Sequence, residues 1–253
     1  MSYQRPQFVN DEIYHVVSRA VGDTVVFNDE KDFYRGIFSI YEFNNAKPVS
    51  IWLRRQERKK EKFIEKAITT ALATSDVAKI LQRPTSQNSD ERDKFVEVLA
   101  FSFMPNHLHL ILKQLKHNGI TEFMRKVNGG YAKYFNEKYN RKGHLFNKFR
   151  AVRIEDDDQL KNAFVYVHTN LISLIEPGWK EKGIEAPKKV TEFLENNKRH
   201  SYPDYLGKKN FPSVTQRDFL LEVMGGQQGC KAEVDNWIMY KKELKEFGGI
   251  VLE

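Results

Sequence analysis

The stretch KFVEVLAFSFMPNHLHLILKQ, residues 94–114, decides the fold. Two apolar runs, 94–104 and 107–114, are separated by Pro105-Asn106, a pair that suits a tight turn, so the segment reads as a β-hairpin. In the second run His107 and His109 flank Leu108. Side chains alternate along a strand, so both imidazoles point to one face and Leu108 to the other. Two imidazoles so placed can share one metal ion. They can equally be packed core histidines, and the hairpin alone is compatible with both.

Outward from the hairpin, EIYHVVSRAV (12–21) is rich in β-branched residues and reads as a strand. NDEKDFYRGIFSIYEFNN (28–45) repeats Phe33, Ile37, Ile40 and Tyr41 at helical spacing, with Asn28 as the expected N-cap. A charged helical segment (53–82) and the loop RPTSQNSDERD (83–93) look inserted before the hairpin. After it, ITEFMRKVNGGYAKYFNEKY (120–139) is helical with a break expected at Asn128-Gly129-Gly130. GHLFNKFRAVRIE (143–155) reads as a strand. DDDQLKNAFVYVHTNLISLIE (156–176) opens on acids that favour a helix N-terminus and places Leu160, Phe164, Val167, Leu171 and Leu174 on one face. Pro177-Gly178 ends it.

This order predicts an α+β protein: a ferredoxin-like βαββαβ antiparallel sheet with helices on one face, a helical insertion and a C-terminal extension. Residues 1–178 are expected to form the main domain, with the insertion at about 47–93, and 179–253 an extension packed on the core that could also contact a partner.

The composition suits a soluble globular chain: 253 residues, 40% hydrophobic and 30% charged. No apolar run reaches the roughly 18 residues of a membrane span, and the N-terminus lacks a secretory apolar core. A cytoplasmic protein is expected. The single cysteine, Cys230, excludes an intrachain disulfide framework and a multi-cysteine zinc site. There are 41 Lys+Arg against 34 Asp+Glu, a net charge of +7. Much of the excess lies between Arg125 and Arg153, interleaved with Tyr131, Tyr134, Phe135, Tyr139, Phe146 and Phe149. Lysine and arginine track phosphates, and flat rings stack on unpaired bases. Arg125, Lys126, Tyr134, Arg141, Lys142, Lys148, Arg150 and Arg153 are therefore the candidate DNA-binding residues. The alternative is an amphipathic helix with aromatics in the core and lysines in water.

The segment YVHTN, 166–170, adds a second polar pair. Residues four apart share a helix face, so Tyr166 and Asn170 project together. A carboxamide oxygen can be a third ligand to a hard cation, and a phenol beside that cation can act as a nucleophile. In the other reading Tyr166 sits at a core edge and Asn170 in solvent.

Taken together, MPNHLHLIL (104–112), the block GGYAKYFNEKYNRKGHLFNKFR (129–150) and YVHTN resemble the single-tyrosine HUH transposases, closest to the branch associated with repetitive extragenic palindromes. YHVVSRAV, VFNDEKDFYRGI and HSYPDYLG extend the resemblance over most of the chain. It implies a metal-dependent endonuclease and transposase that nicks and rejoins single-stranded DNA near hairpins. It also implies a divalent ion, Mg²⁺ or Mn²⁺, held by His107, His109 and Asn170, and a Tyr166 nucleophile that leaves a 5′-phosphotyrosine and needs no ATP. Tyr131, Tyr134 and Tyr139 are rival nucleophiles by residue type. The expected partner is single-stranded or hairpin DNA, with no membrane, and the protein a monomer or homodimer. Relatives often carry Asn-Pro where this chain has Asn170-Leu171, which is expected to let the helix run on. The competing functions are a catalytically silent, domesticated hairpin-binding protein and, further off, a two-histidine hydrolase of small substrates.

Overall fold

Both strands of the hairpin carry nearly unbroken apolar runs, and such strands need cover on both faces. The structure, a computed structural model, describes residues 6–22, 24–50, 53–54, 56–57, 59–60, 63–64, 90 and 92–246. The hairpin is present as β2 (Val96–Met104) and β3 (His107–Gln114), joined at Pro105-Asn106 with Met104 opposite His107. β1 (Ile13–Arg19) and β4 (Arg150–Ile154) complete a four-stranded antiparallel sheet in the order β2-β3-β1-β4. Helix α1 (Glu30–Phe43) follows β1 and α2 (Gly119–Lys138) follows β3, which gives the expected βαββαβ order. Most of the expected insertion, including 65–89, lies outside the described residues.

Side-chain parity divides the core in two. Tyr14, Val16, Leu108, Leu110 and Leu112 point to the face covered by α1 and α2, together with Phe33, Ile37, Phe123 and Tyr131. Ile111 and Ala100 point to the other face, where α3 (Asp157–Thr169) supplies Leu160, Phe164 and Val167. Each such side chain, fully buried, stabilises by roughly 1.5–3 kcal/mol. The expectation of helices on one face holds for α1 and α2 and is corrected for the sheet as a whole. α3 and the helices after it, including Pro187–Asn196 and Gly226–Glu246, cover the second face.

The segment after residue 178 also covers the open edge of β2. Phe103 donates its N–H to the Arg199 carbonyl (2.8 Å), and Ser201 donates to the Phe101 carbonyl (3.0 Å). An exposed edge strand is a template for unwanted pairing, and this short addition blocks it.

Three local expectations are corrected. Asp29, not Asn28, caps α1: its carboxylate accepts from the Asp32 N–H (2.8 Å), while Asn28 donates its own N–H to Asp32 Oδ2 (3.1 Å). α2 runs unbroken through Asn128-Gly129-Gly130. Gly130 is there for close approach, since a Cβ would lie 2.2 Å from the Phe43 ring of α1. And the tyrosine helix does not run on past Asn170; it tightens into a 3₁₀ turn, Asn170–Leu174. No helix among the described residues is long and apolar enough to cross a membrane.

Candidate active site

His107 and His109 are on the face of β3 that meets α3, with ring centroids 4.9 Å apart. Both are buried, at 8% and 3% exposure. Tyr166 and Asn170 lie one turn apart, with the Asn170 N–H bonded to the Tyr166 carbonyl. Asn170 Nδ2 donates to His109 Nε2 (2.7 Å). The Tyr166 ring stands edge-on to His109, 5.6 Å between centroids, and is 41% exposed. All four side chains line one cleft of about 280 Å³. Larger clefts, of about 450 and 550 Å³, lie elsewhere and contain none of the four.

The hydrogen bonds fix which ring nitrogens carry protons. Asn106 Oδ1 can only accept, so His107 Nδ1–H donates to it (2.7 Å) and Nε2 keeps its lone pair. His109 Nε2 accepts from Asn170, so its Nδ1–H donates to His15 Nε2 (3.0 Å). Such partners orient ligand imidazoles in metal sites. Burial holds His107 down to about 4, helped by the positive charges of Arg19 and Lys180. Burial also holds His109 well below the usual range, helped by His15, His107, Arg19 and Lys180. Both rings are therefore neutral at neutral pH, the state in which imidazole donates a lone pair. Among the described residues no three His, Cys, Asp or Glu side chains form a metal-holding cluster; the polar side chain beside His109 is the Asn170 carboxamide.

The rival tyrosines lie on the opposite side of the sheet. Tyr131 is buried and its hydroxyl donates to the Val26 carbonyl. Tyr134 and Tyr139 both donate to the buried carboxylate of Asp32, at 3.0 and 2.6 Å, and Lys138 pairs with the same group (2.7 Å). These contacts tie α1 to α2.

The candidate DNA-binding residues divide. Lys126 donates to the carbonyls of Asn45 and Lys47 past the end of α1. Arg125 pairs with Glu122 (2.7 Å), and Arg153 with Glu12 (2.7 Å). Arg141 donates to Asn136 Oδ1 and to the carbonyls of Gly143 and His144. Lys142 and Lys148 are exposed, without an ion pair among the described residues. Arg150 lies opposite Val17, which lies opposite His109, so it shares the histidine face.

Two hydrogen-bond partners of the histidine rings were not foreseen, His15 and Asn106. Parity could have found His15, which follows Tyr14 in β1 and so points away from the α1–α2 core. Asn106 stands next to His107 within the stretch already singled out. His168, in YVHTN, takes no part: it is fully buried on the far side of α3, with Nε2 2.9 Å from Ser201 Oγ.

Residues 66–170 match the family model described as "Transposase IS200 like". No curated protein matches. A solved structure of a REP-associated tyrosine transposase bound to a REP hairpin is 12% identical, covering 86% of this chain and 93% of that one, with a TM-score of 0.47. A bacterial tRNA(His) guanylyltransferase (Thg1)-like protein in complex with ATP is 11% identical, covering 79% and 77%, with a TM-score of 0.32. Over residues 66–170, the stretch that carries both strand histidines, Tyr166 and Asn170, the chain is similar to the IS200-like transposases.

Proposed function

We propose that the protein is a metal-dependent single-stranded DNA endonuclease and transposase that cleaves near hairpins through a 5′-phosphotyrosine at Tyr166. The observation that carries this reading is one cleft holding an exposed phenol, two neutral imidazoles and a carboxamide. The donor set fits a divalent ion such as Mn²⁺ or Mg²⁺: His107 Nε2 keeps its lone pair, and a half-turn of the Asn170 carboxamide, whose Nδ2 now donates to His109 Nε2, would release that nitrogen and present the amide oxygen beside it. When bound there, the ion would polarise a scissile phosphate and offset the charge that builds on it.

The chain's own residues supply the rest. Asn106 and His15 hold the two rings in the tautomers that leave Nε2 for the ion. Tyr166 is exposed enough to meet a phosphate and is held by α3 beside the histidines. In this reading the target is single-stranded DNA beside a hairpin. Lys142 and Lys148 are the candidate residues left to follow the DNA backbone, and Arg150 shares the face that carries the histidines. In this reading residues 1–178 form the catalytic unit and 179–253 an extension that covers the second sheet face.

The test is covalent trapping. The protein is incubated with Mn²⁺ and labelled hairpin oligonucleotides carrying a randomised single-stranded 5′ flank, then run on a denaturing protein gel. The expected result is a labelled adduct that requires metal and is lost in Tyr166→Phe. Tight hairpin binding with no adduct under any metal would establish the silent hairpin-binding protein instead.

A further inference from the structure

Two cations stand in the cleft without a role so far. Arg19 ends β1 directly opposite His107, and its side chain lines the same cleft. Lys180 lines it from the other side, with Nζ 5.7 Å from the centroid of the Tyr166 ring. Both are exposed, and neither forms an ion pair among the described residues. Among the described residues Glu181 is the one carboxylate lining the cleft, so the local balance is two cations against one anion around neutral histidines.

The position of Lys180 is built, not incidental. Gly178 takes a left-handed conformation (φ 83°) that turns the chain into the short helix Trp179–Lys182. Trp179 is buried there and packs edge-on against Trp237 of the last helix, 5.1 Å between centroids. The Glu176 carboxylate accepts from the N–H groups of Glu185 (2.9 Å) and Ala186 (3.0 Å) and so closes the loop behind it. The C-terminal extension thus fixes a lysine over the tyrosine on α3.

Uncompensated cations beside a nucleophile are suited to the oxygens of the group it attacks. We infer that Lys180 and Arg19 are catalytic residues that hold the non-bridging oxygens of the scissile phosphate as Tyr166 attacks it, an inference that rests on the proposed function. In this step the Tyr166 oxygen bonds to phosphorus and the bond from phosphorus to the 3′-oxygen breaks. The phenol proton passes to water, and the departing 3′-oxygen takes a proton from water. Lys180 and Arg19 keep their protons throughout. They oppose the negative charge on the phosphorane-like transition state, as charged donors do at transferring phosphoryl groups.

The test compares a normal with an uncharged scissile phosphate. The flank cleaved by wild-type protein is resynthesised with a methylphosphonate at the mapped position, and single-turnover adduct formation is followed in Mn²⁺. On the normal phosphate, Lys180→Ala and Arg19→Ala should each slow adduct formation roughly 10- to 100-fold, with Lys180→Arg recovering much of the loss and Mn²⁺ affinity not reduced in any variant. On the methylphosphonate each variant should fall within about threefold of wild type, because the charge it answers is gone. Variants within about twofold of wild type on the normal phosphate overturn the inference. So does an equal loss on both substrates, which would mean that the cations act elsewhere. Wild-type protein that forms no adduct overturns the proposed function with it, whereas a wild-type adduct with unaffected variants overturns this inference alone.

Discussion

His15 Nε2 lies 3.0 Å from His109 Nδ1, while the opposite nitrogen of His109 faces Asn170 Nδ2 at 2.7 Å. The two rings are nearly parallel, 15° between planes, so β1 sets the tautomer of a histidine on β3. Outer partners of ligand histidines typically contribute 10- to 100-fold in metal affinity, as an order of magnitude. His15→Ala is therefore expected to weaken Mn²⁺ binding by roughly that factor. His15→Gln, whose carbonyl can still accept the Nδ1–H, should recover part of it. Calorimetric titration with Mn²⁺ reads this directly. An unchanged affinity in His15→Ala, with an unchanged unfolding midpoint, would remove His15 from any role at the site.

Tyr166 is 41% exposed, and Tyr166→Phe removes only a hydroxyl. The variant should fold with stability within about 0.5 kcal/mol of wild type, bind hairpin and Mn²⁺ normally, and form no covalent adduct. Tyr134→Phe and Tyr139→Phe should keep the adduct but lose stability, because each removes a bond to the buried Asp32 carboxylate. A loss of about 1–3 kcal/mol is expected for each. An adduct that survives Tyr166→Phe and vanishes in Tyr134→Phe would move the nucleophile to the wrong face of this sheet.

The fold was legible wherever one residue period was strong. Residues 94–114 announced the hairpin through two apolar runs and a Pro-Asn turn, and period two put His107 and His109 on one face. Helical spacing put Tyr166 with Asn170. What stayed hidden was long-range. No local pattern says that β1 lies beside β3, and only that pairing brings His15 to His109. Nor does one say that the C-terminal extension returns Lys180 to Tyr166. The basic aromatic block shows the same limit: Lys126, Arg141 and Tyr134 bind this chain's own carbonyls and carboxylate, and sequence shows the charge but not its partner.

The adjacent glycines of α2 illustrate the same limit and give a paired test. A methyl on Gly129 would meet nothing within 4 Å, whereas a methyl on Gly130 would lie 2.2 Å from the Phe43 ring. Gly129→Ala should stabilise by up to about 1 kcal/mol through helix propensity. Gly130→Ala should destabilise by about 1–3 kcal/mol as α1 and α2 are forced apart. Urea unfolding of the two variants checks both signs, and equal effects would refute the close helix approach.

Acid should weaken the fold before carboxylates begin to titrate. His200 is fully buried and held down to about 4, and His168 is held well below its usual range, in each case by burial. Their folded values lie below the unfolded value near 6.5, so between about 6.5 and 4 the unfolded chain binds more protons. Stability therefore rises with pH across that window and is lost as pH falls through it. One histidine displaced from 6.5 to about 4 corresponds to roughly 3 kcal/mol in total, lost progressively until pH falls below the folded value. Carboxylates held low by cationic partners, such as Glu195 beside Lys231, have the same sign but act mainly nearer and below pH 4. Urea midpoints should thus fall steadily from pH 7 to pH 4.5. A His200→Asn variant, destabilised at pH 7, should show a shallower fall, since it has one neutral buried imidazole fewer to protonate. Midpoints flat across this range would mean that the buried histidines open to solvent and titrate normally.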